Sequence, residues 1–394
     1  MSFGIILFIV AILVVVMVHE AGHFLVAKLF GFKATKFFVG FGPKVWSVQK
    51  GETEYGIAAI PAGGFVKIVG MNPYEEVAPE DVPRSYPNKP RWQRALLLVA
   101  GSATHWVLAF VVLLVTTMTI GFPTGEASTE VAVVQTRVEG SAPPSVEAGL
   151  EPGDRIVGVA GQATPDWDSV TTAIRAHPGE TITLEVERDG ERVELQADLW
   201  AAVFDAERGP VEFAESPEEL REPSTTEEVG GFLGFTPSPE METQGLVGGI
   251  VDSGKRVGEL TVLSVRGIGQ VFGMVFGGEL WDALTGDGAR DVDEGPLGLV
   301  GASRIAGESV QRGEILNFIG LIVGFTVFVG LMNLLPLPPL DGGHLAVLAY
   351  EKVTGRVVDI RKLIPIAAAV ISFFIVLFIA VLYLDLARPV RMPF

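Results

Sequence analysis

The chain has 394 residues, 48% hydrophobic and 19% charged, with no cysteine and a formal net charge of −18. That length accommodates several domains, and the apolar content exceeds that of an ordinary soluble protein. The missing cysteines exclude disulfides and thiolate metal sites, and the acidic balance argues against nucleic acid, which needs a basic face.

Charge divides the chain. Between Glu126 and Glu314 lie 36 acidic and 13 basic residues, against 11 acidic and 16 basic elsewhere. A solvated acidic insert inside a membrane-embedded frame fits this division. Four apolar segments, 3–30, 95–121, 315–335 and 364–384, approach the ~20 residues that span a bilayer. The N-terminus lacks the basic region and small-residue cleavage site of a removable signal.

The first segment carries no charge from Phe3 to Val18 and then meets His19-Glu20-Ala21-Gly22-His23. Polar groups in a membrane helix are costly and usually functional. Two histidines four apart share one helix face and can bind one metal ion, and Glu20 beside them can take a proton from water at the metal. Sixteen apolar residues precede His19, a rise of about 24 Å, so the motif lies within the bilayer, towards the side away from the N-terminus.

Orientation follows from Lys and Arg in the short loops. Nine lie between Lys33 and Arg94 and four between Lys352 and Lys362, so both loops read as cytoplasmic. The termini and the insert then lie outside; Arg388 and Arg391 count against this. Between the first two spans, 44–49, 53–60 and 64–69 read as strands around a Lys50-Gly51-Glu52 turn. Phe37, Phe38, Phe41, Trp46 and Phe65 make this segment too apolar for a plain cytosolic loop. It reads as a small re-entrant sheet beside the metal site or as an interfacial hairpin. Residues 72–94 are polar and proline-bearing.

In the insert, Val131–Thr136 reads as a strand. Gly149-Leu150-Glu151-Pro152-Gly153-Asp154-Arg155-Ile156 follows, then Val159-Ala160-Gly161. Asp168–Ala176 reads as a helix, and Thr181–Glu187 with Arg192–Leu199 as a hairpin. These residues resemble a PDZ domain of the kind found in membrane and periplasmic proteases. Such domains bind extended peptides at a sheet edge; a spacer that binds nothing is the alternative. Residues 205–245, rich in Glu, Pro, Ser and Thr, read as poorly ordered. An apolar helical pattern returns over Gly254–Phe276, either resting on the outer membrane face or forming a fifth span. Residues 282–296 read as an acidic loop.

The third span closes on Asn333-Leu334-Leu335-Pro336-Leu337-Pro338-Pro339-Leu340-Asp341-Gly342-Gly343-His344. Prolines free backbone groups inside a membrane segment, which is tolerated mainly at cavities. Asp341 is a natural third metal ligand; taken alone it could also be a helix N-cap. Two histidines and a carboxylate leave the fourth position of a tetrahedral zinc open.

With these motifs the chain resembles the site-2 protease family of intramembrane zinc metalloproteases, in particular the bacterial group with one PDZ domain that acts in regulated intramembrane proteolysis. His-Glu-Ala-Gly-His, Gly40–Pro43, Pro61–Lys67, Ala100-Gly101, the PDZ pattern, Gly295–Gly298 and Asn333–Gly343 carry the resemblance. It implies a polytopic α-helical membrane protein of about four transmembrane helices, with a re-entrant β-hairpin or sheet and an inserted extracytoplasmic α+β PDZ domain. The divisions are 1–128 for the first half of the membrane core (re-entrant segment about 36–70), 129–200 for the PDZ domain, 201–313 for an acidic linker with an amphipathic segment, and 314–394 for the last two helices. It also implies zinc held by His19, His23 and Asp341, Glu20 as catalytic base, and substrate contacts from Asn333, Gly63, Gly64 and Phe65. The protein would sit in the cell membrane with its active site near the cytoplasmic side. Its substrates would be single-span membrane proteins, such as anti-sigma factors, or remnant signal peptides, with the PDZ domain taking peptide segments or excluding bulky ones.

One departure stands out. Where many members have Pro after Ala-Gly and Asn three residues on, this chain has Ser102-Ala103-Thr104-His105. His105 is either a pocket residue or a satisfied polar residue at a helix end, not a ligand. His344 is similarly open, and His177 reads as surface. The competing function is a non-catalytic zinc-binding membrane scaffold that captures peptides through its PDZ domain. A metal-ion transporter is disfavoured because no continuous polar path lines the spans.

Overall fold

The computed structural model describes residues 2–390 except 73, 139, 206 and 287–295. Gly295 of the Gly295–Gly298 motif lies outside the described residues, as does most of the expected 282–296 loop. The chain divides into two compact units, Met1–Met118 with Gly245–Phe394, and Thr119–Gln244.

The first unit opens with α1 (Ser2–Leu29), whose uncharged N-terminal half is apolar all round, as a membrane helix must be. Two strands follow, β1 (Ala34–Lys50) and β2 (Thr53–Ile68), where three were expected. Each is bent, so together they make a sheet in the order 44–50, 53–58, 36–39, 64–68. Phe37, for example, pairs with Tyr55 on one side and Val66 on the other. Gly40 sits at the bend of β1 with φ +85°, and a Cβ there would strike the Ile60 and Ala58 carbonyls. The hairpin turn is anchored by Glu52, which accepts from Lys28 at 2.8 Å and from Arg84 at 2.7 and 2.8 Å. The Arg84 guanidinium, then Lys28, hold the Glu52 carboxyl down at about 2.

Helix α2 (Arg91–Thr119) runs antiparallel to α1. Gly22 lets the two backbones touch, since a Cβ there would meet the Ala100 carbonyl, and Thr104 donates to the Val18 carbonyl at 3.1 Å. Small residues at such crossings are how membrane helices gain packing without a hydrophobic drive. At the far end of α1, Ala27, Phe32, Ala34, Ile68, Leu97, Leu98 and Leu348 form one buried cluster. It locks α1, the sheet and α2 to a late helix.

The second unit contains β3 (Phe122–Val134), α3 (Pro144–Glu147), β4 (Arg155–Val159), β5 (Gln162–Ala163), α4 (Trp167–Arg175), β6 (Thr181–Arg188), β7 (Glu191–Asp198), β8 (Trp200–Asp205), β9 (Gly209–Ala214), β10 (Glu227–Phe232) and β11 (Phe235–Glu242). One sheet has the order β11-β3-β4-β6-β7 with β5 on β4; the other is β10-β8-β9. The β6–β7 hairpin turns at Asp189 and Gly190, both at positive φ, the pattern of a tight hairpin turn. Helix α4 is capped by Asp166 through a capping box. Arg188 clamps Asp154 at 2.7 Å through both carboxylate oxygens, and the Glu151 N–H donates to it at 2.9 Å. Burial alone would raise the Asp154 carboxyl; the Arg188 and Glu151 bonds outweigh it and hold it below its ordinary value.

Residues 205–245 do not stay unstructured as their composition suggested. They supply β9, β10 and β11, and Trp200, Phe213 and Phe232 pack on one another, the last two with ring centroids 4.7 Å apart. A few well-spaced aromatics outweigh the surrounding Glu and Ser because each buries a large apolar area.

The chain then re-enters the first unit. Helix α5 (Leu246–Gly277) is one continuous 32-residue helix, followed by α6 (Glu279–Thr285), α7 (Leu299–Gln311), α8 (Ile315–Asn333), α9 (Asp341–Thr354) and α10 (Ile364–Ala387). Residues 282–285, expected as loop, thus close α6. Among the described residues, five helices are long and apolar enough to cross a membrane, with Leu246–Gly277 as the fifth. Contacts at its ends qualify that number. Gly249 and Ser253 of α5 lie against Thr117 near the end of α2. The Ala283 carbonyl of α6 accepts from Arg388 just past α10, and Asp385 of α10 accepts from the Gly298 and Gly301 N–H groups at the start of α7. Helix α7 in turn abuts Gly4 through Gly307. Both ends of the α5–α6 stretch are therefore held at the end of the bundle where α1 begins.

Candidate metal centre

His19 and His23 stand one turn apart on α1, as their spacing predicts. Asp341 is the first residue of α9. The break at 334–340 turns the chain back so that Gly342 and Gly343 press against the Leu334–Leu337 backbone, leaving no room for a Cβ at either. Asp341 thereby reaches α1 from more than three hundred residues away. Among the described residues, His19, His23 and Asp341 are the group whose ligand atoms converge as a metal site requires.

The convergence is tight. His19 Nε2 and His23 Nε2 are 3.1 Å apart, and Asp341 Oδ2 lies 3.3 Å from the first and 3.2 Å from the second. Ligand atoms about 2.0–2.1 Å from a tetrahedral zinc are separated by about 3.3 Å. The three atoms thus match one face of that tetrahedron. His23 Nδ1 lies 2.8 Å from the Leu97 carbonyl. A carbonyl only accepts, so Nδ1 carries the proton and Nε2 of the neutral ring keeps a bare lone pair. Asp341 Oδ2 is buried without a hydrogen-bond partner. Bare lone pairs brought together in a dry site repel unless a cation lies between them. The donor set, two imidazoles and a carboxylate, suits zinc.

Glu20 points to the sheet. Its Oε2 accepts from the Val66 N–H at 3.0 Å. That N–H is on the 64–68 segment, which pairs with 34–39 on its other side, so this outer edge faces Glu20. Gly64 lets the edge approach α1, where a Cβ would strike Met17, and a Cβ on Gly63 would strike Phe41 of β1. Phe65 stacks on Phe38 and Phe41, with centroids 5.6 and 6.1 Å away. Asn333 ends α8, at the start of the break.

His105 is fully buried, with 0% of its surface exposed, and its Nε2 lies 3.1 Å from His19 Nδ1. The residue lies midway along α2 (Arg91–Thr119), not at a helix end. His344, one turn into α9, is not among the converging ligands. His177 bonds Glu180 at 2.8 Å in the second unit.

Three contributors carry no side-chain signal: the Val66 N–H, the Leu97 carbonyl and the empty space at Gly101. A Cβ on Gly101 would fall directly on His23 Nε2 and against His19 Cε1. Gly101→Ala is therefore expected to lower zinc affinity more than about tenfold, the scale on which groups around a metal site act. Zinc per chain after dialysis checks this, with Gly258→Ala as control, since nothing lies within 4 Å of a Cβ there.

Peptidase family M50 matches residues 7–379. Zinc metalloprotease Rip1 of Mycolicibacterium smegmatis is 33% identical over 377 residues, covering 92% of this chain and 89% of that protein. Zinc metalloprotease Rip1 of Mycobacterium tuberculosis is 30% identical over 418 residues, covering 99% and 98%. A His-His-Asp centre among membrane-length helices and a match along nearly the whole chain have one common explanation: the chain belongs to peptidase family M50.

Proposed function

We propose that this multi-pass membrane protein is an intramembrane zinc metalloprotease that hydrolyses a peptide bond in or near the transmembrane segment of single-span proteins. The observation that carries the proposal is the triangle of His19 Nε2, His23 Nε2 and Asp341 Oδ2 at 3.1–3.3 Å. Zinc bound by these groups supplies Lewis acidity for activating water and polarising a scissile carbonyl. Glu20, adjacent to His19, is the base that receives the proton and returns it to the leaving amine.

A membrane helix resists hydrolysis because its carbonyls are already bonded within the helix. A substrate must unwind, and an unwound strand needs new partners for its backbone. The outer edge of the sheet at Gly64 supplies them by strand addition beside Glu20, which itself holds the Val66 N–H. Gly63, Gly64 and Phe65 shape that edge, and Asn333 contributes at the break. Glu20 beside the metal ligands favours hydrolysis over a scaffold role, which requires no proton acceptor there.

The substrates we propose are anti-sigma factors, other single-span proteins and remnant signal peptides. The second unit is a PDZ-type domain outside the cell membrane that takes peptide segments or excludes bulky ones. Four crossings, by α1, α2, α8 and α10, then put the catalytic centre near the cytoplasmic side. Helix α5 enters from the outer side and, with α6, returns to it.

The test is metal dependence with a membrane substrate. The purified full-length chain in detergent is expected to cleave a single-span substrate, to lose cleavage after chelation, and to recover it with stoichiometric zinc. Undiminished cleavage by the metal-stripped chain would overturn the proposal.

A further inference from the structure

The face of α2 that meets α1 carries Leu97, Gly101 and His105, each four residues from the next and so aligned along one side of the helix. The two helices are antiparallel, and the contacts from Leu97 and His105 converge on histidines four apart because the Leu97 carbonyl points toward the C-terminus of α2 while the His105 side chain leans toward its N-terminus. The Leu97 carbonyl meets His23 Nδ1 at 2.8 Å; Gly101 leaves the space in which both rings lie; His105 Nε2 meets His19 Nδ1 at 3.1 Å. Each histidine of the centre thus has its outward nitrogen engaged by α2, one by a backbone oxygen and the other by an imidazole.

We infer that His105 is a positioning residue for the metal centre: its Nε2 accepts the Nδ1–H of His19, fixing the tautomer that presents Nε2 of His19 to zinc. The inference rests on the zinc reading of the His19–His23–Asp341 cluster. If His19 binds the metal through Nε2, its proton sits on Nδ1 and needs an acceptor in a dry site. The group within reach is His105 Nε2, which accepts only when the His105 proton is on Nδ1. That Nδ1 is buried and has no hydrogen-bond partner. A polar residue chosen only to be satisfied would not leave its donor orphaned. Helix α8 packs closely on the stem of this side chain: a Cβ on Gly330 would lie 2.9 Å from His105 Cβ and 3.2 Å from its Cγ. The two rings are held 5.2 Å apart at 41°. An imidazole acceptor is neutral where a carboxylate would add another negative charge, so Asp341 remains the one carboxylate among the ligands.

The test compares His105→Gln, whose amide oxygen keeps an acceptor near the Nε2 position, with His105→Leu, which keeps volume and removes the acceptor. The full-length chains are stripped of metal in detergent and titrated with zinc against a chelator of known affinity. The d–d spectrum is recorded with Co(II) in zinc's place, and the unfolding temperature of each metal-free chain is measured. The Leu variant is expected to bind zinc about 10–100-fold more weakly, and the Gln variant within about threefold of wild type. The cobalt bands should shift in Leu and stay in Gln, with the metal-free unfolding temperatures alike. If the Leu chain does not fold, His105→Met replaces it. Wild-type zinc affinity in the apolar variant, or equal weakening in Leu and Gln, would overturn the assignment. A wild-type chain that binds no zinc would instead remove the metal reading on which it rests.

Discussion

Glu20→Gln is expected to retain zinc at wild-type stoichiometry and to lose cleavage of a transmembrane substrate by about 10²–10⁴-fold, the range that general acid–base catalysis contributes. The substitution is nearly isosteric. The amide oxygen of Gln can still accept the Val66 N–H that Glu20 Oε2 accepts at 3.0 Å, so the sheet edge keeps its place beside α1. His19, His23 and Asp341 are untouched. What disappears is the carboxylate that receives a proton. Elemental analysis and a cleavage assay on the same preparation separate the two effects. A variant that cleaves at the wild-type rate would reject Glu20 as the base; a variant that loses zinc would show that its carboxylate instead supports the metal centre.

Asp341→Ala is expected to weaken zinc binding by about 10²–10³-fold, since one ligand of four carries a few kcal/mol of the ~10–16 kcal/mol that structural zinc sites provide. His19 and His23 remain, both on α1 and both engaged by α2, so the variant keeps a two-nitrogen remnant rather than an intact centre. Removing an acidic residue from the first turn of α9 costs about 0.3–1 kcal/mol through the helix dipole, too little to unfold the bundle. The metal-free variant should therefore unfold at nearly the same temperature as the metal-free wild type. Unchanged zinc stoichiometry and affinity would reject Asp341 as a ligand. Loss of cleavage with zinc retained would assign it another role.

The two variants probe opposite halves of the chain, and the sequence pointed to both. His19, Glu20 and His23 were legible because a charge-free run makes any polar group conspicuous, and four-residue spacing puts the two histidines on one helix face. Asp341 was legible because it follows a proline-rich break in an apolar segment. The β6–β7 hairpin and α4 were legible through a turn dipeptide and a helical pattern. The three expected strands at 44–69 became two long bent ones, because bends at Gly40 and near Ala62 let one strand serve two partners. Residues 205–245 were misjudged because composition averages over a segment, while packing depends on where a few aromatics fall. The 32-residue length of α5 was also out of reach, since glycines at 248, 249, 254 and 258 blur its start.

Residue type and spacing by themselves determined which chemistry this protein carries: a two-histidine, one-carboxylate centre with an acid beside it, set in membrane helices. Tertiary structure alone decided how that centre is completed. The Val66 N–H on Glu20 and the Leu97 carbonyl on His23 are properties of backbone, which no side-chain pattern can announce, and Gly101 stood in the sequence as a motif residue without showing which rings its space receives. His105 was visible as a departure, but its partner was not. A contact between two helices depends on their register and crossing, which the close approach at Gly22 and Ala100 sets.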